Sequence, residues 1–162
     1  MDSATGTAPT VGWVVHPIGW VASGRREPVD DDWGQVESTI TLAEGFGPEA
    51  LAGLDTFSHV EVVYLFDRVD PEAVHRGLRV PRNNPAWPAV GIFAQRGKDR
   101  PNRLGVTICQ VVRVDGPVVT VRGLDALDGT PVLDLKPHMA EFAPRGPVHQ
   151  PAWAHEVMAR YF

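Results

Sequence analysis

Cysteine is almost absent from this chain of 162 residues. Cys109 stands alone, so no internal disulfide can form, and a reducing, cytoplasmic setting is expected. Long apolar runs are missing too. The longest, VEVVYLF at residues 60–66, falls far below the roughly 20 residues that a membrane-spanning helix requires. The opening MDSATGTAPT has neither a basic nor an apolar stretch, so no secretory signal is expected. Positive charge is not in excess either: 15 Lys+Arg face 20 Asp+Glu, for a net charge of -5. That balance argues against holding nucleic acid by general phosphate attraction, and leaves room for a local basic patch. The six histidines form no HxH or HxxxH pair, and no serine sits in a GxSxG elbow. Neither a metal site nor a hydrolytic serine is therefore expected.

What is present describes one folded domain. Hydrophobic residues make up 43% and charged residues 22%, ordinary values for a globular chain of this length, which can bury its own core. Glycine (16) and proline (15) are spread throughout rather than pooled in a linker, which suggests many short elements joined by turns. Strand-like runs fall at residues 11–16, 18–22, 35–42, 59–66, 89–94, 106–114 and 118–122. Short helices are expected at 48–54, 71–75 and 152–161. Val60, Val62, Tyr64 and Phe66 alternate with Glu61, Val63 and Leu65, the pattern of a central or barrel strand. The expectation is a mainly β domain over residues 11–162, preceded by a disordered tail at 1–10.

One familiar motif misleads. Gly45-Phe46-Gly47-Pro48-Glu49-Ala50 fits the glycine pattern of dinucleotide-binding loops. The helix after it can hardly pass Leu54, and no regular strand–helix alternation follows, so a simple turn is expected.

The segment from Arg96 to Gly105 is more informative, because it places four cations and Asn102 between two apolar runs. Cations so crowded repel unless an anionic ligand or nearby carboxylates balance them, and guanidinium forks suit carboxylate or phosphate. Farther on, Asp125, Asp128 and Asp134 surround a turn, and Lys136 shares a strand face with Asp134. These carboxylates can hold a diol, receive an ammonium or act as a base, or simply cap turns. His59 stands at a strand entrance, where a packed histidine and a functional one look alike. The loop at 81–88 carries Arg82 and Trp87 between prolines, either as an acceptor contact or as an ordered connector.

Together these segments resemble the TrmO family, also called TsaA-like or VirR. The matches include Pro17-Ile18-Gly19, Gly34-Gln35-Val36-Glu37, residues 54–59, Val90 to Arg96 running into Arg100-Pro101-Asn102, Gly123-Leu124-Asp125 onward, and Pro151-Ala152-Trp153. The resemblance implies a single small β-barrel with a few short peripheral helices, not a Rossmann fold. It implies an S-adenosylmethionine-dependent methyltransferase whose characterised relatives methylate N6 of threonylcarbamoyl-adenosine in tRNA, and which pairs as a homodimer with the cofactor near the junction. By matching positions, Trp33, Gly34, Gln35, Asp67, Arg96, Val106, Arg122, Gly123, Leu124 and Asp125 should lie along the cofactor. His59, Arg100, Asn102 and Arg103 should meet the substrate. Asp134, Lys136 and His138 are the candidates for orienting the acceptor or taking its proton.

The chain departs from the family pattern at Asp67, at Gln95-Arg96-Gly97, at Arg103 and at His138. These departures bear on the acceptor more than on the cofactor. With its last residue at Phe162, it is expected to lack the additional domain of longer bacterial members. Three functions follow: methylation within a tRNA anticodon loop, methylation of a small amine or imidazole, or a non-enzymatic module that holds the cofactor.

Overall fold

The computed structural model describes residues 11–162; the expected tail at 1–10 lies outside the described residues. Six antiparallel strands close into a barrel in the order β1 (Gly19–Ser23), β2 (Glu37–Leu42), β7 (Val118–Arg122), β6 (Leu104–Asp115), β3 (His59–Leu65) and β8 (Pro131–Pro137), which returns to β1. β4 (Leu78–Arg79) and β5 (Val90–Gly91) form a separate two-stranded sheet, and α1 (Ala152–Met158) follows the barrel. The fold is mainly β, as the sequence indicates.

Period-two alternation sets which side chains fill the barrel. Val60, Val62 and Tyr64 of β3, Ile40 of β2, and Val119 and Val121 of β7 are all buried inside. Tyr64 is the largest of them, and it fits because its partner across the β3–β6 ladder is Gly105. A Cβ at Gly105 would collide with the tyrosine ring. Gly105→Ala should therefore destabilise the barrel by about 1–3 kcal/mol through overpacking, read as a lowered midpoint in urea unfolding.

Several expected elements take other forms. Residues 11–16 form no strand, and Trp13 is 90% exposed. β1 is already paired on both sides, with β2 and β8, so barrel closure leaves this segment no edge there. The run at 89–94 contributes only Val90–Gly91 before the chain turns into a 3-10 helix, Ile92–Ala94. The region 48–54 gives two 3-10 turns, Pro48–Leu51 and Leu54–Thr56, separated at Gly53, whose φ of 86° is left-handed. Pro71–Ala73 is likewise 3-10, its N-terminus capped by the Asp70 carboxylate. The motif at 45–50 is a turn leading into a four-residue 3-10 helix, with no place for a dinucleotide-binding helix.

Candidate functional site

One rung of outward-facing residues crosses four strands near one end of the barrel. Glu37 of β2 stands opposite Arg122 of β7, Arg122 opposite Gln110 of β6, and Gln110 opposite His59 of β3. Alternation places all four on the outer surface, because their neighbours Ser38, Val121, Cys109 and Val60 are buried. The Arg122 guanidinium is held from two sides, by Glu37 Oε1 at 2.5 Å and by Gln110 Oε1 at 3.2 Å. Held from both sides, it has little freedom to swing.

A cavity of about 290 Å³ opens beside this rung. Arg122, Gln110 and His59 line one part of it, and Gly34, Gln35 and Gly123 line another. Ile108 and Phe162 supply apolar walls. Gly123 has a φ of 86°, a backbone state that side chains disfavour, and its N–H donates to the Val36 carbonyl at 3.0 Å. That turn brings the strand after Arg122 against the loop containing Gly34. Five residues expected from the sequence, Gly34, Gln35, His59, Arg122 and Gly123, thus converge on one surface.

The other expected cofactor residues have different situations. Val106 continues the outward row of β6, two residues before Ile108, and its carbonyl accepts a bond from Arg96 Nη2 at 2.6 Å. Trp33 is buried; its indole N–H donates to the Asp30 carbonyl and Arg25 lies over its ring at 4.2 Å. Leu124 is wholly within the core. Asp67 is exposed just beyond β3, at the far end of that strand from His59. None of these four lines the cavity.

Asp125 also lies outside it, as the acceptor of a buried cluster. Its carboxylate receives the Tyr64 hydroxyl at 2.9 Å, the Thr107 hydroxyl in a short bond, and the Tyr161 hydroxyl at 2.5 Å. Burial, then the nearby Asp125 charge, pushes both tyrosine pKa values well above the ordinary phenol value. The same two causes push the Cys109 thiol up to about 12, which leaves it inert.

Arg100, Asn102 and Arg103 lie at the start of β6, beside Leu104 and Leu65, while His59 pairs with Gln110 at the other end of this ladder. The ladder runs over seven residue pairs from end to end, about 20 Å at strand rise. Within one chain, therefore, the cation loop is not part of the cavity. Much of its positive charge is also committed. Arg100 donates to the Gln95 carbonyl, Arg103 to Val69 and Arg96 to Val106. Asp99 is the balancing carboxylate: it is buried and pairs with Arg79 at 2.7 Å and Lys98 at 3.1 Å. Burial works to raise its pKa, but the hydrogen bonds from Lys98 and Arg79 outweigh this and hold it below the usual value. Asn102 and Arg103 both adopt left-handed backbone, φ 62° and 52°, and such a pair is strained for arginine. Arg82 pairs with Asp31 at 2.8 Å rather than joining an open basic surface.

Asp134, Lys136 and Glu61 share the outer face of the β3–β8 ladder, where Lys136 stands opposite Glu61. Lys136 bonds Asp134 at 2.9 Å, and that bond together with the carboxylate's charge raises the lysine pKa. Lys136 therefore remains an ammonium at neutral pH and is no proton acceptor. His138 extends this strand; its N–H donates to the His59 carbonyl at 2.9 Å. Its Nδ1 is buried without a hydrogen-bond partner among the described residues, 3.6 Å from Glu61 Oε1. Of the three catalytic candidates, His138 is the one fastened to a residue of the cavity. No group of three His, Cys, Asp or Glu among the described residues is arranged to hold a metal. No described helix is long and apolar enough to cross a membrane.

Phe162, Gln110 and Ile108 were not among the residues expected at the site. For Gln110 and Ile108, outward positions two apart on a strand leading to Arg122's partner rung would have been a signal. For Phe162 there is no local signal, since its neighbour in space, Gly34, is far away in sequence.

Known proteins with this barrel align along most of the chain. Residues 27–143 match the family described as tRNA-methyltransferase O N-terminal domain. A probable S-adenosyl-L-methionine-binding protein of Pyrococcus abyssi is 35% identical over 134 residues, covering 78% of this chain and 68% of that protein. The tRNA (adenine(37)-N6)-methyltransferase of Mus musculus is 38% identical over 93 residues, 57% of this chain but 21% of the mouse protein. Among solved structures, TrmO from Pseudomonas aeruginosa superposes with a TM-score of 0.71 at 26% identity, covering 90% of this chain and 63% of that one. The chain thus spans about a fifth of the mouse methyltransferase and under two thirds of the crystallised TrmO.

Proposed function

Because the chain belongs to the tRNA-methyltransferase O family, we propose that it is an S-adenosylmethionine-dependent methyltransferase whose cofactor occupies the cavity beside Arg122. The observation that carries this reading is the convergence of Gly34, Gln35, His59, Arg122 and Gly123 on one surface of a barrel that is not a Rossmann fold. The donor set suits the ligand. A fixed guanidinium complements a methionine carboxylate, the Gln35 and Gln110 amides complement hydroxyls and ring nitrogens, and Ile108 and Phe162 complement the faces of a flat base.

When bound, the cofactor supplies an electrophilic methyl group on a sulfonium. The chain's own task is positioning, since transfer to a neutral nitrogen needs an in-line approach and little covalent help. His59 borders the cavity and His138 lies next to it, so these imidazoles are placed to orient an acceptor or take its proton. Lys136 and Asp134 lie farther along the outer face and neutralise each other.

For the acceptor, the preferred reading is an adenine N6 in a tRNA anticodon loop, the substrate type named for the mouse relative. A second reading, a small nitrogen acceptor such as an amine or imidazole, is favoured by the cations already committed within the chain and by the net charge of -5. Labelled cofactor incubated at low salt with tRNA lacking only this methyl separates them. Incorporation into that tRNA is expected. Cofactor binding without incorporation would transfer the reading to small acceptors.

We also place a second copy against the outer face of β6. There Leu104, Val106 and Ile108 form an outward apolar row, with Phe93 also 76% exposed. Pairing there would cover apolar surface and set the cation loop of one copy near the face of the other. The cytoplasm is the compartment that this reading assigns, as the site of the proposed tRNA acceptor.

A further inference from the structure

The segment after α1 takes no part in the cofactor assignment except through Phe162. Residues 159–162 run back along the loop that begins the cavity. The Asp32 N–H donates to the Arg160 carbonyl and the Trp33 N–H to the Tyr161 carbonyl, both at 2.8 Å. The Arg160 and Asp32 side chains pair at 3.3 Å. Phe162 presses against Gly34 so closely that a Cβ there would stand 2.6 Å from the Phe162 carbonyl carbon.

Tyr161 is the point of attachment. Its hydroxyl donates to Asp125, the same carboxylate that takes Tyr64 from inside the barrel and Thr107 from β6. Its ring meets Phe162 edge to face, with centroids 4.9 Å apart. Fixing Tyr161 therefore fixes the neighbouring ring, which lines the cavity yet remains 64% exposed. An aromatic ring held in place with much of its surface open presents a flat apolar wall to whatever enters.

We infer that Tyr161 and Asp125 are positioning residues that latch the 159–162 strap to the barrel so that Phe162 forms a wall of the cofactor cavity. This rests on the cofactor assignment above. The sequence resemblance places Asp125 along the cofactor. Here it acts through the strap instead, because three hydroxyls already engage its carboxylate. One side-chain latch, one exposed ion pair and two backbone bonds hold only a short segment. Opening it is a local event that leaves the barrel intact.

The test is calorimetric titration with S-adenosylhomocysteine of the intact chain and of Tyr161→Phe and Phe162→Ala, together with amide hydrogen exchange. Tyr161→Phe keeps the ring and removes the latch. It should weaken binding about tenfold, the order expected for one hydrogen bond to a charged group. The Asp32 and Trp33 amides should exchange faster in that variant and regain protection when ligand is added. Phe162→Ala, which leaves the Asp125 cluster intact, should weaken binding by a similar factor and serves also if Tyr161→Phe fails to fold. Normal affinity in both variants overturns the inference, as does weakened binding with unchanged exchange at Asp32 and Trp33. An unaltered protein that binds no S-adenosylhomocysteine overturns the cofactor assignment itself, and with it the role of Phe162 as a wall.

Discussion

Above about pH 10 the protein is expected to lose stability steeply, while its two tyrosines show no tyrosinate absorbance for as long as it stays folded. Tyr64 and Tyr161 both have phenol pKa values raised above the ordinary phenol value of 10.0, through burial first and the Asp125 charge second. The unfolded chain releases those protons near pH 10, whereas the folded chain retains them. The folded state then binds more protons than the unfolded one, so stability falls as pH rises. Stability from these groups is fully present below pH 10 and declines above it. Cys109 adds to the effect, with a thiol pushed from 9.0 up to about 12, so its contribution starts to fall near pH 9.

Each such proton costs about 1.4 kcal/mol per pH unit beyond its unfolded value. At pH 11 the three groups together should remove about 5–6 kcal/mol, a large share of the stability of a small domain. Urea unfolding at pH 8 and pH 11, with absorbance at 295 nm as the phenolate signal, measures both effects together. Tyrosinate appearing in the folded protein at pH 10–11 would show that the Asp125 cluster is solvated rather than closed.

Replacement of Arg122 should weaken cofactor binding by one to two orders of magnitude. Among the described residues Arg122 is the one arginine or lysine lining the cavity, and Glu37 and Gln110 hold its guanidinium in place. A charged hydrogen bond to a ligand carboxylate contributes about 1.5–3 kcal/mol, so Arg122→Ala should raise the dissociation constant for S-adenosylhomocysteine about 10- to 100-fold. Lysine should restore little, because a single ammonium cannot be held by Glu37 and Gln110 while also presenting a fork to the ligand. The site is on the outer surface, so the alanine variant should unfold within a few degrees of the parent. An unchanged affinity would place the carboxylate, or the whole ligand, elsewhere.

Much of the barrel was legible because its strands announce themselves by alternation. β3 is the clearest case, with Val60, Val62 and Tyr64 inward and His59, Glu61 and Val63 outward. The segment at 11–16 shows the limit of that signal: its β-branched residues suit a strand, but the barrel closes without it. A pattern states that a strand is compatible with the residues, not that an edge is free to receive it.

The candidate site was legible in part for a related reason. Gly34, Gln35, Arg122 and Gly123 stand in two short motifs, and the fold brings the motifs together. The loop at 96–103 gave a correct physical question and an incomplete answer. Its cations do need balancing, but Asp99 and the carbonyls of Gln95, Val69 and Val106 supply much of the balance from within the chain. Such carbonyl partners cannot be read from residue type, because every residue has one. Tyr161 and Phe162 were hidden for a third reason. Their partners, Asp125 and Gly34, are distant in sequence, and only the path of the strap joins them.

The most direct test of the account is a ¹H–¹⁵N spectrum of the protein titrated with S-adenosylhomocysteine. The cofactor assignment predicts saturable shifts centred on the amides of Gly34, Gln35, Gln110 and Gly123, with the far end of β3 near Asp67 unaffected. A titration that moves no resonances, or one whose shifts gather away from the Arg122 rung, would contradict it.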